Sequence, residues 1–345
     1  MPIPEGAKET VGFIGLGNMG GPVARLIQKA GFPMVVYDLR QEAIQPFVGR
    51  GALGARSPAE VARAADVIFT AVPMPRDVEE VAVGPEGILE GIRENGIYID
   101  ISTSSPYLLQ RLEPRFREKG AWVLDAPVGA GQPPMDDPGI HEVMVGGPHA
   151  IFERVKPVFD AYGDQIIYAG ELGSGAVCKL VHQMVGFCIS QAIAEGLTLG
   201  AKAGVAPVIV WEAIRRGLVG RMHFLHDSVP RTVFTGSYEP NTFPLTLLRK
   251  DIGLATQLGR DVGVPLPVAN LVEQIAVAGI NRGLGGGAGY TVTFQLQEEA
   301  AGTSLRVEGI DPDRASQYIG THPDAEYSGN GAIAGRAMSD RRGRA

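Results

Sequence analysis

Six residues near the start of the chain, Gly15-Leu16-Gly17-Asn18-Met19-Gly20, fit the spacing G-x-G-x-x-G. An apolar run, Val11 to Gly15, leads into them, and a helical pattern follows. Asp38 lies 18 residues beyond Gly20, at the end of the next apolar run. In that setting each glycine has a task. The first allows the turn, the second lets backbone reach a pyrophosphate, and the third lets helix and strand pack closely. The free N–H groups of the helix start then face the phosphates. A carboxylate at the position of Asp38 suits the hydroxyls of an adenosine ribose and repels a 2′-phosphate, so the pattern predicts NAD. Arg40, two residues on, leaves tolerance of NADP open. Two further groups invite chemistry. Ser102 and Thr103 end an apolar run, at the sheet edge where α/β proteins bind ligands. Lys179 sits beside Cys178, Leu180 and Val181, an apolar setting for an amine that titrates near ~10.4 in water.

The elements around these residues alternate. Strand patterns cover Val11 to Gly15, Pro33 to Tyr37, Val67 to Val72, Ile97 to Ile101, Trp122 to Asp125 and Glu142 to Val145, with helical patterns such as Gly21 to Ala30 and Pro58 to Ala64 between them. That alternation predicts βαβ units and a mainly parallel sheet, with strands apolar on both faces because helices cover both. From Gly175 onward the pattern is helical: Ala176 to Ala203, Val208 to Arg216, Leu245 to Gly259 and Val268 to Gly283. Gly204 suits a C-cap and Pro207 a first helical turn. Gly196, Gly200 and Gly204 recur every four residues, which predicts close approach of another helix in a helical domain or dimer. The apolar stretch Leu180 to Ala194 reads as a buried helix, too short to span a bilayer. After Gly302 large apolar residues become scarce, and residues 303–345 read as a poorly structured extension or an arm on a neighbouring subunit.

Composition narrows the class. The 345 residues allow about two domains at ~150 residues each. The formal charge of -7, without a Lys/Arg run, argues against a nucleic-acid partner. No apolar signal core opens the chain. Cys178 and Cys188 fall ten residues apart on one helix, ~15 Å, too far for a disulfide. Two free thiols point to a reducing cytosol. No Cys/His cluster has zinc spacing, and no Ser-His-Asp hydrolase elbow is present, so no metal is expected.

Five motifs stand in order: Gly12-Phe13-Ile14-Gly15-Leu16-Gly17-Asn18-Met19-Gly20, Asp100-Ile101-Ser102-Thr103-Ser104-Ser105-Pro106, Asp125-Ala126-Pro127-Val128, Gly173-Ser174-Gly175 with Lys179, and Lys250-Asp251. Over roughly residues 10–300 the chain resembles the β-hydroxyacid dehydrogenase family, which includes 3-hydroxyisobutyrate dehydrogenase and tartronate semialdehyde reductase. The resemblance implies a 6-phosphogluconate dehydrogenase-like Rossmann domain over 1–170 and an all-α substrate and oligomerisation domain over 171–302, with the active site in the cleft between them. It implies a homodimer or homotetramer, and a small hydroxy acid or aldehyde as substrate. Lys179 is then the proton-transferring residue, Ser102 a substrate contact, and Thr103 a cofactor contact. Val72-Pro73-Met74 resembles the loop over the adenosine side, with Asp77 a further cofactor contact. Lys250 matches the lysine that closes over nicotinamide and substrate, and Asp251 is expected to orient helices by hydrogen bonding.

Three departures bear on the substrate. The family commonly has Asp-Ala-Pro-Val-Ser-Gly-Gly, whose Ser and backbone N–H groups hold a carboxylate; here Gly129-Ala130-Gly131 lacks the hydroxyl. The usual Asn one turn after the lysine is absent from Lys179-Leu180-Val181-His182-Gln183; Gln183 at i+4 and His182 at i+3 are the candidates on that face. The segment from Gln132 to Ile140 is rich in Pro and Asp. Arg221 or His223, before Phe243, is a candidate for reading a second polar group. The expected function is NAD-linked interconversion of a small 3-hydroxy acid, or related alcohol, and its semialdehyde or ketone. The alternatives are an imine reductase, which on this fold usually lacks the lysine, and a non-catalytic dinucleotide sensor or scaffold.

Overall fold

A computed structural model describes residues 8–130, 141–221, 224–238, 243–285, 288–309, 326–327 and 331–335. The chain divides into two compact units, 1–183 with 322–345, and 184–321.

The first unit begins with β1 (Val11–Ile14), α1 (Gly20–Lys29), β2 (Met34–Tyr37), α2 (Gln41–Val48), β3 (Leu53–Gly54), α3 (Pro58–Ala64) and β4 (Val67–Thr70). It continues through α4 (Pro75–Val83), α5 (Ile88–Gly91), β5 (Ile97–Asp100), α6 (Pro106–Arg117), β6 (Trp122–Asp125), β7 (Val128–Ala130), β8 (His141–Gly146), α7 (His149–Phe159) and β9 (Gln165–Gly170). Strands β3-β2-β1-β4-β5-β6 lie side by side in that order, every pair parallel. This is the order of a dinucleotide-binding doubly wound sheet. Strand β8 then joins β6 antiparallel and β9 joins β8 parallel, while β7 forms a hairpin with β8. Alternate residues serve opposite faces. Phe13, Phe69 and Ile99 enter one core with Val23 and Ile27 of α1 and Phe159 of α7. Ile14, Ile68 and Tyr98 enter the other with Val61 of α3 and Phe116 of α6. Phe13 stacks on Phe69 at 5.7 Å and Tyr98 on Phe116 at 5.3 Å. The expectation of strands apolar on both faces holds.

Local signals start the helices. Pro58 and Pro106 occupy first-turn positions behind capping Ser57 and Ser105. Helices α2, α6 and α7, absent from the sequence reading, each carry an internal proline (Pro46, Pro114, Pro157). Proline there normally argues against a helix, and packing against the sheet overrides it.

Helix α8 (Ser174–Lys202) belongs to both units. In the second, α9 (Pro207–Arg216), a π-helical segment (Phe224–Phe234), α10 (Leu245–Val262), α11 (Pro267–Asn281) and α12 (Thr293–Ala301) follow. Buried Glu195 of α8 accepts from the N–H groups of Val268 (3.0 Å) and Ala269 (3.2 Å), capping α11. Gly200 packs so closely on Val210 of α9 that a Cβ would collide with it, and Gly204 takes the left-handed C-cap conformation. Two expectations need correction here. The stretch Leu180 to Ala194 is not buried: Val181, Met184, Phe187 and Ile189 are exposed, as are Cys178 and Cys188. Its apolar residues ring the helix, and the elements of one chain do not cover them. By length and composition the whole helix could also cross a membrane; Lys179 and Glu195, buried within protein, argue against that. Asp251 does not orient helices; it is exposed and pairs with adjacent Lys250 at 2.9 Å. In the C-terminal extension, β10 (Glu326–Tyr327) pairs with β11 (Gly331–Gly335), and β11 adds antiparallel to β9. Among the described residues of the extension, 326–327 and 331–335 form strands, and 303–309 form neither helix nor strand.

One polar network sits inside the sheet. Thr70 Oγ1 donates to Asp100 Oδ1 at 2.7 Å and lies 3.1 Å from the Tyr98 hydroxyl. Ser102 N donates to Asp100 Oδ1 at 3.1 Å. Burial pushes the Asp100 carboxyl up to about 6, against these hydrogen bonds. The folded chain therefore binds this proton more tightly than the unfolded chain. The stability it contributes is fully present below pH ~4 and is lost as pH rises through about 6. Denaturant titrations should show wild type losing up to about 3 kcal/mol relative to Asp100→Asn between pH 4 and pH 7. A difference independent of pH would contradict the assignment.

Candidate active site

The glycine-rich turn forms as its spacing predicts. Gly15 adopts φ +90°, and a Cβ there would strike the carbonyl of Ala71. A Cβ on Gly20 would strike the carbonyl of Gly15, so strand and helix meet through bare backbone. Gly17 faces open space, with nothing within 4 Å of where a Cβ would stand. No side chain caps α1; at its start Gly21 N donates to the Gly17 carbonyl at 2.9 Å and Pro22 carries no N–H. Asn18 is exposed and Met19 half-buried beside it. These features fit a dinucleotide: a cradle of bare backbone at Gly15 to Gly20, open at Gly17 to the close approach of a pyrophosphate. Asp38 is buried at the end of β2. Its Oδ2 accepts from Leu16 N at 2.7 Å, and its Oδ1 from Arg40 N at 2.9 Å and Arg40 Nε at 3.3 Å. The carboxylate thus locks the turn to β2 and retains a further lone pair on Oδ2. Arg40 is not simply solvated. With Leu16, Gly17, Asn18 and Arg25 it lines an open cavity of about 510 Å³ against the turn.

Other expected cofactor contacts are distributed along the same sheet edge. Val72 is half-buried and Pro73 and Met74 are exposed after β4. Asp77 accepts from Met74 N at 3.1 Å, so it caps α4. Thr103 is exposed beyond β5. Ser102 is buried, and its Oγ accepts from Val72 N at 3.0 Å while bonding to Asp100. Its hydroxyl therefore ties the ends of β4 and β5 together.

The second half of the site is organised by Asp125, whose task no local sequence pattern reveals. From the end of β6 its Oδ1 accepts from Gly173 N and its Oδ2 from Ala176 N, both at 2.6 Å. It thereby caps α8 from another element. Gly175 permits this: a Cβ there would collide with the Met144 carbonyl. Burial raises the Asp125 carboxyl, and the backbone donors pull it back. One turn into α8 stands Lys179, 6% exposed, its ammonium lowered below the ordinary lysine range by burial and partly restored by the charge of Glu142. No hydrogen bond to its Nζ is present among the described residues. His182 and Gln183 follow on the same face. His182 Nδ1 lies 3.0 Å from Glu142 Oε2; Gln183 is half-buried. Gly129, buried on β7, pairs across the hairpin with Glu142, and Ala130 with His141. The structure thus brings Lys179, His182, Glu142 and Gly129 together. Glu142 was missed by sequence reasoning, because its place depends on a hairpin register that no local pattern announces.

The remaining candidates lie elsewhere or outside view. Gly131 and His223 fall outside the described residues. Arg221 is exposed, and Lys250 is exposed beside Asp251 in the second unit.

Comparison with known proteins agrees with this geometry. Residues 10–170 match the NAD-binding domain of 6-phosphogluconate dehydrogenase, and residues 173–296 match the NAD-binding region of NADP-dependent 3-hydroxyisobutyrate dehydrogenase. The chain is 32% identical over 295 residues to 2-(hydroxymethyl)glutarate dehydrogenase of Eubacterium barkeri, covering 86% of this chain and 97% of that protein. It resembles the structure of Mycobacterium tuberculosis 3-hydroxyisobutyrate dehydrogenase with L-serine, at 25% identity and a TM-score of 0.57, over 84% of this chain and 99% of that one. An imine reductase from Pseudomonas sp. shares the fold, with a TM-score of 0.68 at 15% identity over 84% of this chain and 99% of that one. With its dinucleotide turn, its buried lysine and these relatives, the chain belongs to the β-hydroxyacid dehydrogenase family, as an oxidoreductase acting on CH–OH groups with a nicotinamide dinucleotide.

Proposed function

We propose that the chain interconverts a small 3-hydroxy acid and its semialdehyde or ketone, with NAD as cofactor and Lys179 as general base and acid. The observation that carries this reading is Lys179 itself: an amine buried at the capped start of α8, with burial lowering its proton affinity. When bound, the nicotinamide supplies the hydride acceptor. Lys179 then removes the hydroxyl proton in oxidation, and as an ammonium returns it in reduction while polarising the carbonyl. Cysteine, serine and histidine nucleophiles are not required, since no covalent intermediate is formed.

Asp38 supports NAD over NADP, because its carboxylate opposes a 2′-phosphate even with Arg40 drawing on one oxygen. Gly17, Asn18 and the start of α1 are assigned to the pyrophosphate, Val72, Pro73, Met74 and Asp77 to the adenosine side, and Thr103 and Lys250 to the nicotinamide. Gln183 and the backbone at Gly129 are assigned to the substrate, with Ser102 supporting them through its bonds to Val72 and Asp100. The exposed apolar residues Val181, Val185 and Ile189 of α8 support a homodimer or homotetramer in which a second copy covers them. The unpaired thiols Cys178 and Cys188 suit a reducing cytosol.

The test is NADH formation against 3-hydroxyisobutyrate, glycerate, 3-hydroxypropionate, serine and bulkier alcohols, with NADP and Lys179→Ala in parallel. Turnover of one 3-hydroxy acid is expected, NAD favoured over NADP, with Lys179→Ala lowering kcat by about 10²–10⁴. Oxidation needs the neutral amine, so kcat should rise with pH through a midpoint below the ordinary ~10.4 of lysine. Turnover independent of Lys179, or turnover of imines alone, would overturn the reading.

A further inference from the structure

Glu142 and His182 make a pair that the reaction chemistry above does not use. Glu142 stands opposite Gly129 in the hairpin of β7 and β8, and its Oε2 lies 3.0 Å from His182 Nδ1. A carboxylate only accepts, so Nδ1 carries a proton and Nε2 is the nitrogen left for another group. No described residue bonds to it. The His182 side chain is 48% exposed and lies one turn from Lys179 on the same face.

Gly129 is part of the arrangement. A Cβ there would stand 2.9 Å from Glu142 Oε2 and 3.6 Å from His182 Cε1. A side chain at that position would contest the place of the carboxylate and unpin the imidazole. The glycine opens the space, the acid fills it, and the imidazole is held against it.

The charges fix what the imidazole can receive. Glu142 places a negative charge near Lys179, and Lys179 must be neutral to act as a base. An acidic substrate entering there would meet net repulsion from Glu142. An imidazole bonded to one carboxylate through Nδ1 can bond a second through Nε2–H, an imidazolium neutralised from both sides. The geometry points to Glu142 and His182 as a specificity pair: Glu142 orients His182, and Nε2 of His182 binds the acidic group of the substrate beside the carbon that Lys179 serves. This rests on the 3-hydroxy-acid reading above. His182 is the contact residue and Glu142 a positioning residue acting through it.

The experiment compares the acid found in the panel with its methyl ester. His182→Gln and Gly129→Ala should each raise KM for the acid about tenfold or more, with kcat within about threefold and KM for the ester within about twofold. Glu142→Gln should raise KM for the acid in the same selective way. The double variant Gly129→Ala/His182→Gln should be no worse than His182→Gln, since both remove one contact. Equal effects on acid and ester, or additive effects in the double variant, would overturn the inference. A readout free of turnover is ¹⁵N-histidine NMR of the NADH complex, with the His182 signals identified by their loss in His182→Gln. Its Nδ1 should be protonated in the free enzyme. Its Nε2 resonance should move on adding 3-hydroxypropionate and stay still on adding the methyl ester. If the panel yields no turnover, the 3-hydroxy-acid reading fails, and this titration still decides the pair: movement with the acid alone supports it, and no movement removes it.

Discussion

A single buried carboxylate joins the sheet to the helix that carries Lys179. Asp125, at the end of β6, holds the N–H groups of Gly173 and Ala176, and so fixes both where α8 starts and how it is rotated. Lys179 comes three residues after Ala176, so its position follows from that anchor. The contact is close enough to dictate its surroundings. Gly146 and Gly175 must lack a Cβ because backbone carbonyls and Asp125 itself occupy that volume. An anion at a helix start also meets the favourable end of the helix dipole, which offsets part of the desolvation that raises the Asp125 carboxyl.

The same device recurs along the molecule. Asp38 locks the glycine-rich turn through Leu16 N, Asp100 gathers Thr70 and Ser102 at the ends of β4 and β5, and Glu195 caps α11. Three of these acids sit at the carboxyl ends of parallel strands, the edge where an open α/β sheet receives its ligand. Each spends its charge on backbone or hydroxyl donors, and Asp38 adds an ion pair with Arg40 at 3.3 Å. Such bonds are directional, and they set loop geometry more firmly than surface ion pairs such as Arg56–Glu60 would. Lys179 is the contrasting case: a buried amine without a hydrogen bond among the described residues.

The parts of this arrangement readable from sequence were those with local signatures. The turn at Gly15 to Gly20, Asp38 at the end of β2, and the apolar strands β1, β4 and β5 follow from glycine spacing and alternation. Helices α10 and α11, expected over Leu245 to Gly259 and Val268 to Gly283, run Leu245–Val262 and Pro267–Asn281. What escaped was set by tertiary contacts. Helices α2, α6 and α7 hide behind internal prolines. Strand β7 is three residues long and made by its hairpin partner. The exposure of α8 at Val181 and Phe187 cannot be read from periodicity, which says a face wants covering and not what covers it. Glu142 reaches His182 only because the hairpin register sets it opposite Gly129, and no spacing along the chain encodes that meeting.

Asp125 positions Lys179 without holding the cofactor, and Asp125→Asn tests this, because its amide nitrogen would face a backbone N–H donor where an acceptor is needed. NAD affinity by titration calorimetry should stay within about twofold, while kcat for oxidation falls about 100-fold or more. An unchanged kcat, or a loss of NAD binding equal to the loss of turnover, would contradict the account.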